Sequence, residues 1–185
     1  MNQRLIVGIS GASGVIYGIR ALEMLRDAGI ETHLVMSRAA QITLAHETDM
    51  KIADVERLAA VHYRIDDIGA AISSGSFKTM GMLVAPCSIR SLSEISSGVT
   101  SSLLSRAADV VLKERRRLVL LVRETPLHAG HLRSMAAVTD MGGIIAPPVP
   151  AFYAKPKTLD EMINHTIGRA LDLFDLDVAI RRWKD

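Results

Sequence analysis

The sequence is poor in the residues that build several common kinds of site. Its 185 residues include one cysteine, Cys87, so neither an internal disulfide nor a cysteine-ligated zinc cluster can form. Aromatic residues make up 4% of the chain, which argues against a stacking platform for nucleic-acid bases. The formal net charge of +2 is far from the basic excess of a protein that binds the phosphate backbone. We therefore expect no nucleic-acid partner.

Long hydrophobic runs are also missing. No apolar segment approaches the roughly 20 residues that cross a bilayer, and residues 1–4 lead into a short apolar segment without the features of a signal peptide. The chain has instead 49% hydrophobic and 23% charged residues, the composition of a globular protein. These numbers predict one domain over residues 1–185, in the cytoplasm and without a membrane partner.

Short apolar segments alternate with stretches of helical periodicity along the chain. Strands are predicted at 5–9, 33–36, 61–65, 80–85, 118–122 and 143–146, and helices at about 13–28, 39–47, 54–60, 88–96, 102–116, 131–141 and 159–174. Strands that are apolar throughout and separated by helices indicate a parallel sheet covered on both faces. The predicted fold class is therefore a three-layer α/β/α protein with a Rossmann-like or flavodoxin-like parallel sheet. In such sheets a ligand binds beyond the carboxyl ends of the strands, at a switch point.

The first predicted strand is followed by a glycine-rich turn, Gly8–Gly14. Ser10 stands where the dinucleotide-binding pattern G-x-G-x-x-G has its second glycine. The second strand ends at Ser37 rather than at an acidic residue, so a nicotinamide-dinucleotide site is not indicated. The turn predicts either an anion site at a helix N-terminus or an ordinary turn with a serine cap.

A similar turn, Pro86–Ser91, follows the fourth predicted strand. Ser88 is placed to cap the next helix, as Ser37 is placed after the second strand. We interpret Cys87 as a small buried residue at a strand end rather than as a nucleophile.

Positive charge is concentrated in the segment Arg106–Arg117, which has five basic and two acidic side chains. Arg106 and Lys113 are seven residues apart and share one face of a helix. We interpret Arg115–Arg117 as a solvated helix end stabilised by the helix dipole.

Two further polar groups follow the most hydrophobic strand. The pair Arg123–Glu124 directly after that strand contacts either a ligand or another charge at the rim of the sheet. His128 and His131 are three residues apart, which is a possible metal spacing, but no third ligand is near in the sequence. We expect no metal.

Eight ordered motifs extend over essentially the whole chain. They are GISGASG at 8–14, HLVMS at 33–37, ETD at 47–49, SSGSF at 73–77, PCS at 86–88, RAADVVLKERR at 106–116, LVRETPL at 121–127 and PPVPAFY at 147–153. Taken together they resemble the UbiX-type flavin prenyltransferases.

The resemblance implies a flavodoxin-like fold, a homododecamer and a metal-independent prenyl transfer. The donor would be dimethylallyl monophosphate and the acceptor reduced FMN, which is prenylated at N5 and C6. The prenylated FMN would pass to UbiD-type decarboxylases, including the one in ubiquinone biosynthesis. Whether the monophosphate or the diphosphate is the donor stays open.

The resemblance also assigns roles to residues of this sequence. FMN would be bound by Gly11, Ala12, Ser13, Ser37, Ser88, Ile89, Arg90, Ser91 and Arg123. The prenyl donor would be bound by Ser74, Gly75, Ser76, Arg106, Lys113, Glu124, Tyr153, Arg169 and Trp183. The catalytic set would be Ser13, Glu47, Lys113 and Glu124, and the segment from about residue 147 would pack at a subunit interface.

Two departures from the family pattern and two alternative functions stay open. Ile68 stands where some members have an aromatic residue, and Ser101–Ser102 replaces an acidic or amide residue followed by glycine or asparagine. The first alternative is an FMN-dependent cysteine decarboxylase, although its asparagine–methionine substrate motif is not found. The second is a subunit that carries FMN without catalysis.

Overall fold

The computed structural model describes residues 3–183, and it confirms the predicted alternation of strands and helices. The strands are β1 (Arg4–Ile9), β2 (Glu31–Met36), β3 (Val61–Tyr63), β4 (Gly81–Cys87), β5 (Arg117–Val122) and β6 (Ile144–Ile145). The α-helices are α1 (Val15–Asp27), α2 (Arg38–Glu47), α3 (Ile52–Glu56), α4 (Ile89–Ser97), α5 (Leu103–Lys113), α6 (Ala129–Asp140) and α7 (Leu159–Asp172).

All strand pairs are parallel and form one sheet of six strands in the order β3-β2-β1-β4-β5-β6. The chain first builds the sheet outward from β1 to β3 and then resumes on the other side of β1 with β4. The change of direction lies between β1 and β4, where Gly8 is paired with Val84. This is the switch point at which a doubly wound sheet binds its ligand.

Helices cover both faces of the sheet, as continuous apolar strands require. One core lies between the sheet and α1, α2, α3 and α7, with Leu22 and Ile167 among its buried residues. The other lies between the sheet and α4, α5 and α6, with Leu104 and Val138 among its buried residues. The predicted three-layer α/β/α class is confirmed.

Some predicted boundaries differ from the structure. Helix α5 ends at Lys113 rather than at Arg116, because Arg115 has a φ of 56° and Arg117 already begins β5. Strand β4 continues through Pro86 to Cys87, with a shift of register between Val84 and Cys87. Helix α3 begins at Ile52 and ends at Glu56, earlier than the predicted helix at 54–60.

Membrane-spanning helices were sought over the described part of the chain. Between residues 3 and 183 no helix is long and apolar enough to cross a bilayer.

Candidate functional site

A buried serine joins the two turns at the switch point. Ser10, 1% exposed, follows β1 directly. Its hydroxyl donates to the carbonyl of Pro86 at 3.0 Å and accepts from the backbone N–H of Ser88 at 2.7 Å. The turn after β1 and the turn after β4 are therefore fixed relative to each other. The sequence analysis treated Ser10 only as a substitute for a glycine; a hydroxyl placed directly after a buried strand is the signal that could have indicated this role.

Serine caps begin both helices that face this edge. The Ser37 hydroxyl accepts from the N–H of Ala40 at 3.0 Å, and the Ser88 hydroxyl accepts from the N–H of Ser91 at 3.3 Å. Both predicted caps are confirmed. Other N–H groups of the first turns of α2 and α4 point along the helix axes, so each N-terminus offers partial positive charge to an anion.

A cavity of about 450 Å³ opens between these two helix N-termini. Its lining includes five of the predicted flavin-binding residues, namely Gly11, Ser37, Ser88, Arg90 and Ser91. The polar part of the wall is completed by Arg38, Asp66, Glu94, Ser101 and Ser102. A pocket of this size with a few convergent donors is typical of a cofactor site.

The remaining predicted flavin residues border this cavity or lie beside it. Ala12 is buried in the turn, and Ser13 beside it is exposed. Ile89 packs on the second core as the first residue of α4. Ser102, one of the two departures from the family pattern, caps α5 by accepting from the N–H of Ser105 at 3.3 Å. Ile68, the other departure, is exposed.

Glu47 lies at the N-terminus of α1, where the helix has no cap of its own because its N-cap residue is Gly14. The Glu47 carboxylate accepts from the N–H of Gly14 at 2.8 Å and from that of Val15 at 3.0 Å. Burial raises its pKa, but hydrogen bonds from Ser13, Gly14 and Val15 and the charge of Arg123 outweigh burial, so the pKa lies below its usual 4.5. Glu47 is therefore a carboxylate at neutral pH.

Arg123 and Glu124 lie at the same edge as the flavin residues. The N–H of Arg123 donates to the carbonyl of Cys87 at 3.1 Å, which ties the end of β5 to the end of β4. Its charge acts on Glu47, whereas Glu124 is exposed and accepts from the N–H of Thr125 at 3.0 Å. The pair therefore lies at the carboxyl edge of the sheet, where the structure shows Glu47 as a charged neighbour of Arg123.

Cys87 is fully buried, and burial raises the pKa of its thiol to about 12. The interpretation of Cys87 as a buried strand-end residue is confirmed, because a thiol this hard to ionise is a poor nucleophile.

The predicted donor residues of the segment 74–76 lie at the opposite edge of the sheet. The Ser74 and Ser76 hydroxyls are 2.9 Å apart, and Gly75 lies against the side chains of Lys113 and Glu114. Lys113 and Glu114 form an ion pair of 2.6 Å. Arg106 lies two turns earlier on α5 and pairs with Asp109 at 2.7 Å.

Arg116 is not the solvated helix-end residue that the charge pattern predicted. Its guanidinium is largely buried and donates to the carbonyls of Gly75 and Phe77, each at 2.7 Å. That interpretation was wrong for Arg116 because its partners lie about 40 residues earlier in the chain. Arg117 is exposed as expected, but it begins β5 rather than ending a helix, and it pairs with Asp175.

A third group of predicted donor residues lies beside α7. Tyr153 and Arg169 line a cavity of about 300 Å³ together with Pro147 and Leu121. The ring of Trp183 meets that of Tyr153 edge-on, with 5.2 Å between centroids. The sequence analysis missed Asp172, which accepts hydrogen bonds from both Arg169 and Arg182.

Asp172 carries a full negative charge in this arrangement. The hydrogen bond from Arg182 and then that from Arg169 lower its pKa against the opposing effect of burial. Arg169 is thus held in place by a fixed carboxylate rather than free on the helix surface.

Within one chain the predicted flavin residues lie far from Lys113 and the segment 74–76. Strand β5 has 6 residues, which span about 20 Å at the usual rise of a parallel strand. Lys113 precedes β5 and Glu124 follows it, so they lie at opposite edges of the sheet. The structure brings the flavin residues together at the carboxyl edge, and it does not bring Lys113 and the segment 74–76 to them within the same chain.

The two histidines after β5 have a structural role. His128 is the N-cap of α6 and accepts from the N–H of Gly130 at 3.0 Å, while its ring lies 3.6 Å from that of His131. Over residues 3–183 no group of three or more His, Cys, Asp or Glu side chains is arranged to hold a metal ion.

A doubly wound parallel sheet with a glycine-rich turn and serine-capped helix N-termini at its switch point defines an α/β protein that binds phosphate-bearing cofactors. The sequence profile of the Flavoprotein family matches residues 1–170. Flavin prenyltransferase UbiX of Escherichia coli (strain K12) is 58% identical over 186 residues, covering 98% of this chain and 98% of the relative. The chain belongs to the UbiX family of flavin prenyltransferases.

Other relatives and solved structures agree with this assignment. Flavin prenyltransferase UbiX of Thauera aromatica is 56% identical over 181 residues, covering 97% of this chain and 93% of the relative. The crystal structure of AnUbiX in complex with FMN and dimethylallyl pyrophosphate has a TM-score of 0.98 and 49% identity, covering 100% of this chain and 99% of that chain. A dodecameric FMN-dependent UbiX-like decarboxylase from Escherichia coli O157:H7 has a TM-score of 0.96 and 46% identity, covering 99% of this chain and 100% of that chain.

The likeness to FMN-dependent cysteine decarboxylases is confined to the fold. The enzyme TvaF from thioviridamide biosynthesis is 16% identical with a TM-score of 0.66, covering 80% of this chain and 91% of that chain.

Proposed function

We propose that this protein is a flavin prenyltransferase that transfers a dimethylallyl group from dimethylallyl monophosphate to reduced FMN. Its similarity to flavin prenyltransferase UbiX, 58% identical over 98% of both chains, carries the proposal. The positions of the assigned residues support it, because those assigned to the flavin and those assigned to the donor form two separate sets of polar and charged groups.

The residues at the carboxyl edge fit FMN. The 450 Å³ cavity offers hydroxyls from Ser37, Ser88 and Ser91, a set suited to a phosphate ester and a polyol chain. The guanidinium of Arg90 adds further N–H donors, and its Nε pairs with Glu94 of the same wall at 3.0 Å. Reduced FMN, when bound, supplies the nucleophilic ring positions N5 and C6. Arg123 lies at the same edge and would contact the flavin.

In this proposal Glu47 is the proton acceptor and Ser13 is its hydrogen-bond partner. The lowered pKa of Glu47 keeps it ionised, and the Ser13 hydroxyl donates to it, so a proton lost near Ser13 can pass to the carboxylate. Glu124, exposed at the same edge, is the second candidate for proton transfer.

The donor residues supply charge for a leaving phosphate. Lys113 and Arg169 are cations fixed by the carboxylates of Glu114 and Asp172, and the segment 74–76 adds hydroxyl and N–H donors. Fixed cations and donors stabilise the charge that develops on a departing phosphate.

We propose that each complete site is shared between subunits of a homododecamer. The argument is the position of Lys113 and Glu124 at opposite edges of one sheet, about 20 Å apart along β5. The segment from about residue 147 would close the site from a neighbouring subunit, since Phe152 and Trp183 are 74% and 67% exposed in the isolated chain.

The alternatives fit the chain less well. A flavin carrier has no use for the second set of phosphate-binding groups, and a cysteine decarboxylase has no use for a donor site containing Lys113 and Arg169. The product, prenylated FMN, would pass to a UbiD-type decarboxylase, which is a prediction from family membership.

Mass spectrometry tests the reaction directly. The protein is incubated without air with reduced FMN and dimethylallyl monophosphate, and separately with the diphosphate. We expect a flavin heavier by one dimethylallyl unit with the monophosphate. Unmodified FMN with both donors would remove the enzyme assignment.

Mixing variant subunits tests the shared site. Lys113→Ala and Arg123→Ala are each expected to be inactive alone, because one damages the donor groups and the other the flavin edge. Dissociating and reassembling them together restores part of the activity if a site draws these residues from different chains. Activity that stays absent in reassembled mixed oligomers contradicts the shared site.

A further inference from the structure

Arg116 joins the donor segment to the rest of the protein. Residues 74–77 form a turn closed by the N–H of Phe77, which donates to the carbonyl of Ser74 at 3.2 Å. Arg116 donates from its two terminal nitrogens to the carbonyls of Phe77 and Gly75, each at 2.7 Å. These are charge-assisted hydrogen bonds from a side chain that is 17% exposed, so they fix the turn more firmly than surface contacts would.

The hydrogen bonds from Arg116 determine the direction of the polar groups of the turn. The C=O and N–H of one trans peptide unit point in opposite directions, so holding the Gly75 carbonyl fixes the direction of the Ser76 N–H. The Ser76 N–H in turn lies 3.4 Å from the Ser74 hydroxyl, which pairs with that of Ser76. Arg116 thereby controls the direction of the polar groups assigned to the donor phosphate.

Arg116 also lies close to Lys113, the cation assigned to the donor site. Glu114 pairs with Lys113 at 2.6 Å and lies 3.9 Å from Arg116, so one carboxylate faces both cations. The charged ends of both side chains lie directly against Gly75, since a Cβ there would lie 2.2 Å from a Glu114 oxygen and 2.9 Å from the Lys113 nitrogen. The turn and Lys113 are therefore packed together as one unit.

The Phe77 end of the turn has further contacts besides its hydrogen bond from Arg116. The Phe77 ring packs edge-on against His33, with 5.0 Å between centroids, and lies 4.9 Å from the Arg4 guanidinium carbon. Removing Arg116 would free the Gly75 end of the turn while Phe77 stays packed.

We propose that Arg116 is a positioning residue that orients the 74–77 turn and Lys113 for the phosphate of the prenyl donor. It acts through the turn and does not contact the flavin. The inference rests on the proposed function, because it concerns the donor side of that reaction.

The experiment compares Arg116→Gln with Arg115→Gln, which removes the same charge from the exposed neighbouring side chain. The donor KM, kcat, the inhibition constant of inorganic phosphate and the FMN dissociation constant are measured for both variants and the wild type. Arg116→Gln should raise the donor KM and the phosphate inhibition constant together by about tenfold and leave FMN affinity unchanged. Arg115→Gln should leave all four quantities within about twofold, as is usual for a change on the surface.

Arg116→Lys serves as a second variant if Arg116→Gln is poorly folded. A lysine keeps the charge but cannot donate to both carbonyls in the planar geometry of a guanidinium, so an intermediate rise in donor KM is expected. Equal donor KM values in the Arg116 and Arg115 variants would overturn the inference while the wild type remains active. A parallel loss of FMN affinity would show a general structural role and overturn it too. A wild type that forms no prenylated flavin overturns the proposed function itself.

Discussion

Glu47 caps helix α1 through Gly14, whose N–H lies 2.8 Å and 3.1 Å from the two carboxylate oxygens. The anion position at the start of α1 is thus occupied by a side chain of the protein, 33 residues later in the chain. The anion predicted at the glycine-rich turn is therefore the Glu47 carboxylate of the protein itself. The N-termini of α2 and α4 remain available to a cofactor phosphate.

Replacing Glu47 should therefore lower stability as well as activity. Glu47→Gln removes the charge from a helix N-terminus and weakens two backbone hydrogen bonds, so we expect a loss of about 1 kcal/mol in the free energy of unfolding. Urea unfolding followed by circular dichroism measures it. Asp49→Asn, an exposed change nearby, is the control, and an equal effect of the two variants would contradict the cap.

The stability difference should depend on pH in one direction. The folded-state pKa of Glu47 lies below 4.5, so its stabilising contribution is complete above pH 4.5 and is lost as the pH falls through the lowered value. The wild type and Glu47→Gln should differ by a constant amount from pH 7 to about 5 and should converge in more acidic solution. A difference that grows as the solution is acidified contradicts the assigned direction.

Cys87 should be inert in the folded protein. Its pKa of about 12 and complete burial leave almost no accessible thiolate at pH 8. Mass spectrometry after treatment with iodoacetamide should show no adduct in native protein and one adduct in urea. Rapid alkylation of the native protein would restore the nucleophile interpretation.

Gly11 should be needed for flavin binding. A Cβ there would lie 2.3 Å from the Cβ of Ala39 and 3.2 Å from its carbonyl carbon, so Gly11→Ala pushes the first turn of α2 away from the cavity. We expect FMN affinity to fall at least about tenfold, with a stability loss of about 1–3 kcal/mol. Gly69→Ala is the control, since its nearest contact would be Asp67 at 3.7 Å. Fluorescence titration of FMN distinguishes the two, and equal affinities would count against the cavity as the flavin site.

Glu124→Gln should separate binding from turnover. Glu124 is exposed at the flavin edge, and its carboxylate accepts only from the N–H of Thr125 among the described contacts. A glutamine keeps that acceptor, so we expect unchanged FMN affinity and stability and a loss of turnover of about 100-fold or more. Product formation in single-turnover mass spectrometry is the measurement, and wild-type rates in this variant would remove Glu124 from the reaction.

Local signals in the sequence predicted much of the flavin edge. Ser37 and Ser88 cap α2 and α4 as expected, because a serine at a strand–helix junction needs only partners within three residues. The roles of Ser10 and Arg116 could not be predicted from the sequence, because their partners lie 76 and about 40 residues away, beyond any local pattern.

The separation of Lys113 from Glu124 could have been deduced from the predicted sheet. One residue precedes β5 and the other follows it, so parallel strands alone place them at opposite edges. The proposed sharing of a site between neighbouring copies could not be deduced from the order of motifs, because assembly depends on surfaces rather than on strand order.

The position of Lys113 and Glu124 at opposite edges of the sheet has a consequence for assemblies that mix intact and damaged chains. When sites are shared, a subunit with a damaged Lys113 impairs the flavin bound by its neighbour, not its own. Because each site would take one Lys113 from a neighbour, each damaged subunit would remove one site, and a sound flavin edge would mask the defect in binding assays. Dilution that dissociates the assembly into single chains would abolish catalysis, whereas each chain would keep its flavin cavity.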